Sequence, residues 1–162
     1  MPIPEKLSIP NDIKKIIEES LGSRSTELIE SGRYEEVVQE LWKKVGEAKE
    51  FFPRKQWYGG VSYPGALIWV GEDYAGMRNF KMAIRYFEKV MREAPERDEA
   101  RMDLIMALIC LGYQEKNIKH FERALTFNPD KKTQRYVSLA LIRFGLEEGK
   151  WEYFEKVLSL DG

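Results

Sequence analysis

The sequence predicts an all-α fold: seven to nine helices paired as antiparallel hairpins in one domain spanning residues 1–162. Three observations predict it. Between Leu67 and Pro95 two apolar helical runs are separated only by Met77-Arg78-Asn79, and helices joined by so short a break must turn back and pack antiparallel. Phe87 and Pro95 recur 34 residues on as Phe121 and Pro129, a fixed period that marks stacked helical units. The run Tyr86-Phe87-Glu88-Lys89-Val90 returns as Tyr153-Phe154-Glu155-Lys156-Val157, 67 residues later and one short of two full periods.

Residues 1–10 carry three prolines and read as an extended lead-in. Asn11 suits an N-cap, and Asp12 places a negative charge in the first turn, where the helix dipole favours it. Ile13, Ile16, Ile17 and Leu21 follow at helical spacing. Gly22-Ser23 reads as the break, although the apolar pattern also continues through Leu28. Leu28 and Ile29, the turn Ser31-Gly32-Arg33, and a face of Tyr34, Val37, Val38, Leu41, Trp42 and Val45 make a first, degenerate unit within 11–52. Arg24 and Ser25 stand in it where hydrophobic and small residues are expected.

Residues 53–63 interrupt the pattern as an aromatic loop carrying Trp57, Tyr58 and Tyr63 around Gly59-Gly60, longer than most connections in helical arrays. Pro64 suits the first turn of the next helix. Repeat units follow at 64–97 and 98–131. In the last stretch, 132–162, Tyr136, Leu139, Ile142 and Phe144 lead to Gly145, while Gly149 and Trp151 offer a competing place for the turn. The final helix there suits the capping element that an end repeat requires.

Leu67, Gly71, Tyr74, Ala83, Phe87 and Pro95 stand at the spacing of the tetratricopeptide motif, and 64–97 resembles a tetratricopeptide repeat. The resemblance implies a right-handed superhelical array whose first helices line a concave face, and a non-catalytic adaptor that binds a protein or peptide partner there. The 98–131 unit departs from the motif: Ile105 and Leu108 replace the small residue and the tyrosine, and Asn117 stands where the preceding unit has Ala83. By the same resemblance the inner face comprises Ile68, Glu72 and Ala75, then Met102, Met106 and Ile109, then Tyr136, Ala140 and Phe144, with Arg143 beside them. It lacks the Lys, Asn and Arg set with which members of the family grip an acidic C-terminus. A mostly apolar face with two methionines suits an amphipathic helix or an apolar peptide, because methionine adapts to irregular shapes. A large apolar face is seldom left bare, so it is covered either by a partner or by the chain itself or a second copy.

Composition narrows the function classes. A net charge of −1 with 33% charged residues leaves no basic footprint for nucleic acid, and Lys14-Lys15, Arg54-Lys55 and Lys131-Lys132 are too brief to make one. The lone Cys110 excludes an internal disulfide and fits a reducing, cytoplasmic setting. Neither a signal-like apolar leader nor an 18-residue apolar run is present, so no membrane association is expected. Few Asn and Gln amid many charged residues resemble the usage of heat-adapted proteins.

No catalytic constellation is visible, and no cofactor or metal is expected. The single His120 reads as a surface histidine with no second ligand at metal-site spacing, and Cys110 reads as a packed side chain in Leu108-Ile109-Cys110-Leu111. Glu18-Glu19, Glu35-Glu36 and Glu147-Glu148 read as solvated helix faces, and Gly59-Gly60 lacks the strand and Gly-Lys ending of a phosphate loop. Trp57, Tyr58 and Tyr63 read first as a plug between the first and second units, and second as hot-spot anchors. A pocket under that loop would mark a small-ligand protein or an enzyme of unrecognised type.

Overall fold

In a computed structural model, residues 9–52 and 62–160 are described; residues 1–8 and 53–61, with Trp57, Tyr58 and Gly59-Gly60, lie outside them. Among the described residues the fold is all-α, with nine α-helices, one 3-10 stretch and no strand. The chain divides into two compact units: residues 47–133, and residues 1–46 together with 134–162.

The central unit holds α4 (Tyr63–Gly76), α5 (Phe80–Glu93), α6 (Asp98–Glu115) and α7 (Ile118–Leu125), preceded by a 3-10 stretch, Glu47–Phe51. The Ser62 hydroxyl caps α4 by accepting from the Gly65 N–H at 3.3 Å, with Pro64 in the first turn as expected. The break at Met77-Arg78-Asn79 is a tight turn: Arg78 takes φ +66°, and the Asn79 side chain accepts from the Met82 N–H to start α5. A left-handed arginine costs on the order of 1 kcal/mol relative to glycine. Its guanidinium is well employed, donating to the carbonyls of Lys49, Phe52 and Ala75 at 3.0–3.4 Å. These bonds tie the 3-10 stretch, which packs on α6, to the α4–α5 turn.

The next hairpin corrects the 34-residue register. Asn117, placed by that period inside a helix opposite Ala83, is instead the N-cap of α7, its side chain accepting from the Lys119 N–H at 3.0 Å. The turn therefore comes four residues later than the period requires. The small residue that the motif expects at Ile105 is Gly112, two helical turns further along α6. Gly112 is no breaker here because the Phe121 ring lies against its backbone: a Cβ at Gly112 would meet the ring at 2.8 Å. A Cβ at Gly71 would likewise meet the Phe87 ring, at 2.6 Å. From Leu104 to Gly112, α6 is buried on every side, as a helix apolar all round must be.

The terminal unit contains α1 (Asn11–Leu21), α2 (Arg24–Glu30), α3 (Tyr34–Gly46), α8 (Lys131–Glu148, from Gln134 on) and α9 (Trp151–Leu160). Asn11 is the first helical residue rather than the cap; that position belongs to Pro10, and no side chain bonds the helix start. Gly22 at φ +91° ends α1, which settles the break before Ser23. Ser25 is buried because its hydroxyl finds the Gly22 carbonyl at 2.7 Å, which explains a polar residue at a packed position. Gly149 at φ +65° makes the α8–α9 turn, so Gly145 lies within α8, where a Cβ would meet the Phe154 ring at 2.8 Å. The pairs Gly112–Phe121 and Gly145–Phe154 are 33 residues apart, the recurrence that the two last hairpins share.

Helices from opposite ends of the chain meet in this unit. α1 packs on α9, Arg135 of α8 pairs with Glu19 of α1 at 3.6 Å, and Trp42 of α3 lies edge-on to Phe144 of α8. An array in which each repeat touches only its neighbours has no such contacts.

Candidate functional site

The residues expected on an inner face are mostly closed off. In the central unit Ile68, Ala75, Met106 and Ile109 are buried and Glu72 is half-buried; Met102 alone is exposed, at 38%. In the terminal unit Ala140, Arg143 and Phe144 are buried and Tyr136 is half-buried. There the chain supplies its own cover. The Arg143 guanidinium lies 4.5 Å from the centre of the Trp42 ring and 5.1 Å from that of Phe144, and pairs with Glu147 at 2.6 Å. Burial pulls its pKa down, and Glu147 and Glu148 oppose that shift. Its Nε is buried without a hydrogen-bond partner, so the aromatic stacking and a single carboxylate offset the desolvation of the cation.

Among the described residues a cleft of about 40 Å³ stays open along the first half of α6. Phe51, Met102, Ile105, Met106 and Pro129 wall it, with Arg101 and Asp130 at its edge. Phe51 and Met102 are two of the five large apolar side chains exposed among the described residues, and they converge here. The position of Phe51 follows from its neighbour. Phe52 turns inward, fully buried and stacked on Phe87 at 6.1 Å, and the Arg78 bonds to the flanking carbonyls leave Phe51 facing outward. In the sequence Phe51-Phe52 reads only as the edge of the aromatic loop.

The charges at the cleft are already committed. Arg101 donates to the carbonyls of Phe127 and Asn128 at 2.7 and 3.1 Å and pairs with Asp98 at 2.7 Å, which raises its pKa and lowers that of Asp98. Asp130 caps α8 by accepting from the Thr133 N–H, which holds its carboxyl below the ordinary range. The cleft therefore offers chiefly apolar contact, with room for the tip of one side chain.

Tyr63 does not act as a plug: it starts α4 and is 60% exposed. His120 lies on α7 with its Nε2 2.7 Å from the Glu115 carboxylate, whose other oxygen meets Lys81 of α5 at 3.1 Å. Glu115 thus bridges α5 and α7 from the end of α6. The His120 hydrogen bond, then that of Lys81, lowers its pKa. The stabilisation from this bridge is present above the ordinary carboxylate value and is lost as pH falls through the lowered one. Thermal unfolding of Glu115→Gln should therefore fall below wild type at pH 7 and converge with it in strong acid; a constant gap would show that the charge is immaterial.

Cys110 is buried in α6, and burial pushes its thiol up to about 12. At pH 8 about one thiol in ten thousand is then ionised. A thiol reagent such as dithionitrobenzoate should leave the native protein unmodified for hours and react within seconds to minutes once denaturant unfolds it. Rapid native reaction would place Cys110 in contact with solvent.

Among the described residues no group of three or more His, Cys, Asp or Glu side chains could hold a metal ion, and no helix is long and apolar enough to cross a membrane. Comparison with protein-family models, with curated proteins and with solved structures finds no match.

Proposed function

We propose that this chain is a non-catalytic protein-interaction module of tetratricopeptide-like hairpins, docking an apolar side chain of a partner helix or peptide in the Phe51–Met102 cleft. The observation that supports this is the convergence of two exposed large apolar side chains on one concavity, at an edge whose charged groups are engaged internally. Desolvating such a spot costs little polar hydration and removes apolar area from water, the usual make-up of a hot spot. With this reading goes the cytoplasmic setting implied by the lone cysteine.

Met102→Glu tests it. Met102 is exposed, so the charge should be tolerated by the fold, whereas Met106 at 5% exposure makes Met106→Glu a folding variant rather than a binding one. Tagged wild-type protein should retain specific partners from the source cell that Met102→Glu and Phe51→Ser both lose at unchanged thermal stability. Retention of the same partners by both variants would sink the reading.

A second reading, in which a second copy of the chain occupies the cleft, rests on the same exposed pair, Phe51 and Met102. A solution mass that rises with concentration and drops to the monomer in Met102→Glu would make the occupant a second copy. A mass independent of concentration excludes it.

A further inference from the structure

We draw no further inference here: the strongest candidate, the apolar cleft along α6 with Phe51 and Met102 exposed at its wall, belongs to the site already described, and nothing in the structure shows what covers it.

Discussion

Phe87→Ala is expected to lower the unfolding free energy by about 3–5 kcal/mol, a large part of the stability of a domain this size. The ring is fully buried, stacks on Phe52 and lies against the backbone of Gly71, so its removal opens a cavity walled by three elements. The complementary change, Gly71→Val, introduces a Cβ 2.6 Å from the ring and should cost about 1–3 kcal/mol by overpacking. Because the two changes act on one volume, they should not add. Phe87→Leu combined with Gly71→Ala is expected to be more stable than the sum of the single variants predicts. Urea denaturation of the four proteins measures this; strict additivity would mean that ring and glycine are not in contact.

Arg143 carries the second large effect. Arg143→Ala removes a cation that lies over the Trp42 and Phe144 rings together with the aliphatic stem beneath it, and should cost about 2–3 kcal/mol. Arg143→Met is expected to stay within about 1 kcal/mol of wild type, because methionine fills similar volume without a buried charge. It also removes the unpartnered Nε. The contrast decides what the arginine is for. If both variants are equally destabilised, the cation itself holds α3 to α8. If both are neutral, its role is not structural and the inner-face assignment made from the resemblance regains weight.

Most of the helices were legible in the sequence because the signals are local. Apolar spacing along Ile13, Ile16 and Ile17, the left-handed glycines at 22 and 32, and Pro64 in a first turn act within a few residues of themselves. The register of the third hairpin was not. Gly112 and Asn117 can each read as a break or as a helical residue, and only the Phe121 ring, arriving from the other side of the turn, makes Gly112 helical and leaves Asn117 as the cap. The 34-residue spacing between phenylalanines was real in the chain, but it joined residues at different depths in their helices: Phe87 is the eighth residue of α5, Phe121 the fourth of α7.

The candidate site was half legible. Met102 was named from the resemblance and is exposed, while Phe51 was missed and most of Met102's companions proved buried. Spacing tells which residues share a face of a helix; it does not tell what lies on that face. Trp42 is more than ninety residues from Arg143 in the chain, and no local pattern connects them.

By itself, then, the sequence determined that this chain is helical, where most of its turns fall, and which residues are apolar enough to need cover. Those properties follow from backbone propensity and side-chain periodicity, which act over one or two helical turns. The tertiary structure alone decided which apolar faces are closed and which stay open. The packing of α3 against α8 buried one part of the expected face, and the Arg78 bonds that tie the 3-10 stretch to the α4–α5 turn left Phe51 and Met102 around an open cleft. Burial is a property of the neighbours a residue acquires, and those neighbours are chosen by contacts distant in the chain.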